Sequence, residues 1–361
     1  MSSTITFDEA ALTRLADQQP VAPWGRRTAS FRTVVILAVL IPAAIVTMLF
    51  WFSSIPGAVI MVAIYLPLQV LAAVMAAIVV RGTKSAADAV IIVSAIGATI
   101  FSLVVLISLL WSIVTKGLQA MSTAFIFQNN EYISPSTPLG YGGVGHAILG
   151  TVLIVSISAL IAVPLGVMTA LYITEVRGKA VPYVRFFVQA MSGVPSVVAG
   201  LFILTVLILT GVLNNSAFAA GLAYSILMLP TVARTAEEVL KLVPEDLRTG
   251  ALALGSTRAR VALRVVVPAA KTGIITAGIL GIARVVGETA PLLLTALKND
   301  KTVLNPFSDP ISALPTYIFT NVAQPYPDAV IRAWGAALTL MVIVAILFTA
   351  TRLLSTKRPG K

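Results

Sequence analysis

AVIIVSAIGATIFSLVVLISLLWSIVT, residues 89–115, is an apolar run without a charged side chain. A helix rises about 1.5 Å per residue and the hydrocarbon layer is about 30 Å thick, so a run of this length reads as a membrane-spanning helix. Seven more largely apolar runs flank it: 34–52 and 58–80 before it, and 147–173, 187–211, 216–232, 272–296 and 330–353 after it. They are continuous rather than alternating, which excludes a transmembrane β-barrel. The prediction is an all-α, polytopic membrane helix bundle of about eight transmembrane helices.

Composition agrees with this reading. Of 361 residues, 58% are apolar and 11% charged, whereas soluble domains are about a quarter charged. Disulfides, thiol catalysis and cysteine metal sites are excluded because the chain has no cysteine, and its single histidine argues against a multi-histidine site. The net charge of +11 suits nucleic acid at first sight, but the cations follow the spans. Alternate connections divide them 20 to 4, with Lys116, Lys298, Lys301 and Arg332 as the minor set and Arg284 inside a span. The positive-inside rule then places both termini in the cytoplasm, and no nucleic-acid partner is needed. The polar segment before the first span contains Asp8, Glu9 and Asp17, which reads as an uncleaved anchor rather than a signal peptide.

This divides the chain into a cytoplasmic N-terminal segment 1–33, a transmembrane hairpin 34–80 turned at Ser53–Gly57, a core 89–354 and a cytoplasmic tail 355–361. The two long external loops are 116–146, rich in glycine and proline, and 297–329, rich in proline. Such loops either dock an external protein or plug the mouth of the bundle. The third long connection, 233–271, is cytoplasmic and reads as two short helices. Pro244 followed by Glu245 and Asp246 opens the first. Leu247, Ala251 and Leu254 give it an apolar face, and Gly255 stops it. Ser256 or Thr257 caps the second, which carries Arg258, Arg260 and Arg264 and closes at Pro268. A helix–glycine–helix on the surface suits a docking partner. It equally suits an interfacial element held by anionic membrane lipid.

Arg284 and Glu288 lie near the middle of the seventh predicted span. A charge there costs about 2.5–3.5 kcal/mol on insertion scales, so it should face a partner or a cavity. Spaced i,i+4, the two form either a structural ion pair or part of an anion pathway. Small residues, Ala277 with Gly281 and Ala283 with Gly287, permit close helix contact, and Pro291 should bend the span. Arg234, beyond Pro230, is a second pathway candidate or a snorkelling interfacial arginine. Gly140–Gly145 fits the dinucleotide GxGxxG spacing but follows no strand, and no GxxxxGK[ST] loop is present. His146 reads as interfacial.

At residues 249–268, TGALALGSTRARVALRVVVP, the chain resembles the ABC importer permeases, whose cytoplasmic loop EAA-x3-G-x9-I-x-LP docks on an ATPase. Gly255 and Pro268 keep the spacing, Val265 and Val267 replace Ile and Leu, and Thr249 and Gly250 replace the first Glu-Ala before Ala251. Residues 142–175, GVPSVVAGLF (193–202), 228–255 and ARVVGETAPLLL (283–294) are similar to phosphate importer permeases of the PstA/PstC type, GETAPLL most of all to PstA. The likeness covers about 140–354.

The resemblance implies a MetI-like permease core in a bacterial inner membrane, forming half of a translocation pathway for inorganic phosphate. It implies a second, PstC-like permease subunit, a PstB-like ATPase dimer carrying ATP and Mg, and an extracytoplasmic PstS-like phosphate-binding protein. The chain itself would have no catalysis, cofactor or metal. Thr249, Gly250, Ala251, Gly255, Arg258 and Pro268 would couple to the ATPase, and Arg284, Glu288 and Arg234 would line or adjoin the path. The usual PstA permease has six spans, so 34–80 is an addition. Rival expectations are a permease for another oxyanion, such as molybdate or sulfate, and a stand-alone secondary transporter using Arg284 and Glu288.

Overall fold

The computed structural model describes residues 29–53, 57, 60–81, 86–176 and 178–356. The N-terminal segment to residue 28, most of the predicted hairpin turn, residues 82–85 with Lys84, Arg177 and the tail from 357 lie outside the described residues. Among the described residues every regular element is helical. The chain divides into two compact units, one ending at Ser108 and one from Leu109 onward.

The first unit holds α1 (Ala29–Phe52), a π-wound stretch Ile60–Tyr65 that leads into α2 (Leu66–Arg81), and the first part of α3 (Ala86–Gly117). Helices α1 and α2 pack together as a hairpin. The Gln69 side-chain amide donates to the Ala38 carbonyl at 3.2 Å, which ties the two helices together.

The second unit contains α4 (Thr123–Phe127), α5 (Gly145–Leu171, π-wound on to Val176), α6 (Val181–Ser192), α7 (Ser196–Ile203, π-wound on to Ile208) and α8 (Ala217–Lys241). There follow α9 (Glu245–Ala253), α10 (Arg258–Ala269, with a π-wound middle), α11 (Lys271–Val285), α12 (Ala290–Thr295), α13 (Leu314–Val322) and α14 (Pro327–Thr356). Helix α8 is the centre. It carries Ala217, Ala219, Ala220, Gly221, Ala223, Ala233 and Ala236 fully or almost fully buried. Small side chains let neighbouring backbones approach, which is how helices associate where lipid removes the hydrophobic drive. On α5, a Cβ at Gly166 would stand 2.9 Å from Val232. On α11, one at Gly273 would stand 2.2 Å from Val239 and one at Gly281 2.5 Å from Val232. With Ala277, fully buried between them, these make a seam of period four. Of the small-residue pairs expected in this span, Ala277–Gly281 lies on that seam, whereas Gly287 has no atom within 4 Å of where its Cβ would be.

Among the described residues fewer than eight helices are long enough to span. Five helices among the described residues are long and apolar enough to cross a membrane, or up to seven if each of two bent pairs is one span. The run expected at 187–211 is broken at Gly193-Val194-Pro195, where α6 and α7 meet at 102°. Proline disfavours helical backbone in the residue before it, and Pro195 takes the N-cap position of α7. Within the expected span at 58–80, the described residues are π-wound over Ile60–Tyr65 and α-helical over Leu66–Arg81, a short helix of 16 residues. The run expected at 272–296 ends as a helix at Val285, and α11 is bent by 77° from α10. Helix α8 instead overruns its expected end at 232 and reaches Lys241. There Lys241 pairs with Glu237 at 2.9 Å and Glu238 at 3.0 Å, and i,i+3 and i,i+4 pairs support a polar helix end.

The long segments between spans are ordered around buried polar groups. Arg332, counted above as a loop cation, is 2% exposed within α14. It donates to the carbonyls of Thr137, Pro138 and Tyr141 at 2.7, 2.8 and 3.1 Å. His146, expected at an interface, is buried with its ring edge-on to Tyr317, centroids 5.8 Å apart. Burial pushes the Tyr317 phenol up to about 12. Of the GxGxxG glycines, Gly145 serves close backbone contact, since a Cβ there would stand 2.6 Å from the Phe127 carbonyl oxygen, and Gly142 takes a left-handed φ of +75°, whereas Gly140 has nothing within 4 Å.

Candidate functional site

The predicted residues fall in two places. The first is the helix pair α9–α10. Pro244 precedes α9 with Glu245 and Asp246 in its first turn, as the capping pattern requires. Gly255 ends it at φ +80°, a left-handed conformation that a glycine adopts without steric cost. Thr257 caps α10, its side chain accepting from the Arg260 N–H at 3.4 Å. Thr249, Gly250, Gly255, Arg258 and Pro268 are exposed. The Thr249 hydroxyl only bonds back to the carbonyls of Glu245 and Asp246. The expected apolar face of α9 is split. Ala251 packs against a buried cluster that includes Leu240, Val243, Val261 and Val266, whereas Leu247 and Leu254 point outward. Leu254 is 89% exposed and Leu242, before the helix, 80%. The pair therefore offers an outward surface of small and apolar side chains rimmed by arginine.

Sequence reasoning passed over the residue that holds this element in place. Arg248 is half-buried, and its side chain is only 11% exposed, as is that of Glu175 at the end of α5. The guanidinium reaches the Glu175 carboxylate at 3.1 Å through Nη2 and at 3.3 Å through Nε. It also donates to the Leu240 carbonyl at 2.8 Å and the Val243 carbonyl at 2.5 Å. Nearby, Glu237 of α8 takes Arg185 of α6 at 2.9 Å as well as Lys241. No local pattern signals a contact between residues so distant in sequence.

The second place is the break after α11. Arg284 is in the last turn of α11 and exposed, while Glu288 lies beyond the helix end, its N–H bonded to the Val285 carbonyl. The i,i+4 geometry expected for a continuous helix is absent, and among the described residues no ion pair joins the two. The break has a clear cause: Gly287 loosens the helix, and Pro291, which suits a first helical turn, sits in that of α12. The buried Tyr224 hydroxyl on α8 donates to the Glu288 carbonyl and pins the interrupted backbone. Helix α12 lies against α7, where a Cβ on Gly200 would come within 2.7 Å of Pro291. Arg234 is on α8, exposed and in a helix rather than a loop. The structure does not bring it into contact with Arg284 or Glu288. Among the described residues no three His, Asp or Glu side chains gather as metal ligands would.

A family profile described as "Binding-protein-dependent transport system inner membrane component" matches residues 162–358. The phosphate transport system permease protein PstA 1 of Mycobacterium tuberculosis is 39% identical over 263 residues, 70% of this chain and 86% of that protein. The PstA protein of Mycobacterium leprae is 40% identical over 263 residues, 72% of this chain and 86% of that protein. Among solved structures, an inward-facing form of the MetNI methionine ABC transporter aligns with TM-score 0.46 and 19% identity, over 59% of this chain and 93% of that one.

Proposed function

We propose a transport role from one premise: this chain belongs to the binding-protein-dependent transport system inner membrane components. It is a multi-pass membrane protein and the permease subunit of a phosphate ABC importer. The finer reading concerns how it works. Both termini lie in the cytoplasm of a bacterial inner membrane, with α9 and α10 on the cytoplasmic side. There the outward residues Thr249, Gly250, Gly255, Arg258 and Pro268 meet an ATP-binding subunit, and Ala251 seats the helix on the body. ATP and Mg belong to that partner, which works as a dimer, and this chain supplies neither a cofactor site nor catalysis. A second permease subunit completes the path, and an external phosphate-binding protein delivers the cargo over the segments around α4 and α13.

The observation that carries this reading is the outward surface of α9–α10, apolar and uncovered while the helices themselves are capped and anchored. Exposed apolar side chains clustered in this way mark an interaction site. Within the membrane, Arg284 and Glu288 flank an interrupted helix, and non-helical backbone at membrane depth is tolerated where it is buried or lines a cavity. Arg284 attracts the phosphate anion and Glu288 keeps the attraction weak enough for release. Arg234 contributes at the cytoplasmic mouth.

The test is radiolabelled phosphate uptake in phosphate-starved cells lacking this chain and any redundant importer, with wild type or Arg284→Gln added back. Wild type should restore uptake and Arg284→Gln should not, at equal membrane levels. Normal uptake by Arg284→Gln removes the pathway role. Competition by molybdate or sulfate stronger than by unlabelled phosphate moves the cargo to another oxyanion.

A further inference from the structure

We propose that Arg248 is the positioning residue that makes α9 move as one body with the ends of α5 and α8, and so transmits the ATPase stroke to the membrane helices. This rests on the reading of α9–α10 as the ATPase-facing element. Helix α9 packs chiefly onto α10, so backbone packing alone ties it mainly to its own loop partner. Beside the packing of Ala251 on the buried cluster, Arg248 supplies the polar links elsewhere. Its planar fork spans three elements at once: the Glu175 carboxylate at the end of α5, the Leu240 carbonyl in the last turn of α8, and the Val243 carbonyl in the turn that follows. The last carbonyls of a helix have no partner within it, and a cation there satisfies them and suits the negative end of the dipole.

Position on the helix separates anchoring from docking. Successive residues of an α-helix are about 100° apart around its axis. Arg248 therefore points inward while Thr249 and Gly250, the next two, lie on the exposed surface. A push on the outward residues is carried through one side chain to two helices of the core. Burial makes the link stiff: with both side chains 11% exposed, each charge depends on the other for its solvation. Lysine could keep the charge but not the fork, because its ammonium is a point donor on a flexible stem.

The assembled importer is reconstituted in vesicles with its ATPase and binding protein, and phosphate accumulated per ATP hydrolysed is measured. Wild type must accumulate phosphate; an intact wild-type complex that does not would overturn the importer reading irrespective of Arg248. Against a working wild type, Arg248→Ala should keep hydrolysis while the ratio falls about tenfold. Arg248→Lys should recover part of the loss, and Glu175→Gln should resemble Arg248→Ala. An unchanged ratio in Arg248→Ala overturns the proposal. If Arg248→Ala does not assemble, Glu175→Gln decides: hydrolysis and transport falling in parallel in an intact complex would reduce Arg248 to a structural tie.

Discussion

Helices α8 and α3 are both long enough to cross a membrane, yet they are opposites. Of the best 18-residue apolar stretch in each, 67% is buried in α8 and none in α3. The more buried helix is the less apolar of the two. In water this would be a contradiction, since burial follows apolarity. In lipid it is the expected order. A helix surrounded by acyl chains needs Ile, Leu, Val and Phe outward, and α3 presents Ile100, Phe101, Leu103, Val104 and Ile107 in that way. A helix surrounded by other helices needs alanine, glycine and serine so that neighbours come close. In these two helices high hydropathy goes with exposed side chains and small-residue content with burial.

The largest effect that sharpens the comparison comes from filling the α8 seam. Gly281→Leu would force a branched side chain where even a Cβ meets Val232 at 2.5 Å and Met228 at 3.0 Å. Overpacking of a tight core typically costs about 1–3 kcal/mol and more where backbones meet. Phosphate uptake should disappear, together with most of the folded protein in the membrane by detergent melting. Wild-type stability and uptake in Gly281→Leu would show that the seam opens freely.

A smaller loss is expected at Arg332. Replacing it with Gln removes a buried charge and three bonds to carbonyls of the segment at Thr137–Tyr141. Hydrogen bonds to charged groups contribute about 1.5–3 kcal/mol. Hydrogen exchange in residues 130–142 should accelerate while amides of α8 stay protected. Equal acceleration in both would mean the bundle unfolds as a whole and the regional contrast fails.

How much of this was readable beforehand depends on whether the signal is local. Pro244, Gly255 and Thr257 mark their helix boundaries because capping is decided within a few residues. The Gly273–Ala277–Gly281 seam showed in part, as the Ala277–Gly281 pair. The bend at Gly193–Pro195 was hidden inside an apolar run whose composition suits either one straight span or two half-helices. Glu288 was misplaced for the same reason, since i,i+4 reasoning assumes that the helix continues through Gly287. For Arg248 the only local signal was its i,i+3 spacing from Glu245, with which it pairs at 3.3 Å, and nothing marked its anchoring role. The partners in that role lie on α5 and on the turn after α8, and only the packed fold brings them within reach.

The next effect is confined to alkaline pH. Tyr317 is raised to about 12 by burial, whereas an unfolded tyrosine titrates near 10. The folded state holds its proton where the unfolded state has lost it, so this contribution is present below about pH 10 and fades as pH rises toward 12. The slope amounts to about 1.4 kcal/mol per pH unit at most. Tyr317→Phe removes the group, so its melting temperature in detergent should fall less steeply than that of wild type between about pH 10 and 12. Parallel curves would mean that Tyr317 is hydrated in the folded state.

The smallest effect tests α3 itself. Leu103 and Ile107 are 50% and 62% exposed, and among acyl chains a methyl group lost from a side chain is replaced by lipid at little cost, since lipid tails are as apolar as leucine. Leu103→Ala and Ile107→Ala, singly or together, should leave uptake within about twofold and melting within a degree or two, because surface substitutions lie within about 0.5 kcal/mol. The same truncations in a protein–protein contact would leave cavities and cost several times more. A loss of uptake in the double variant with normal membrane levels would therefore place a protein neighbour on this face. Burial of α3 would then be supplied by another subunit rather than by lipid, and its contrast with α8 would reduce to which chain provides the covering surface.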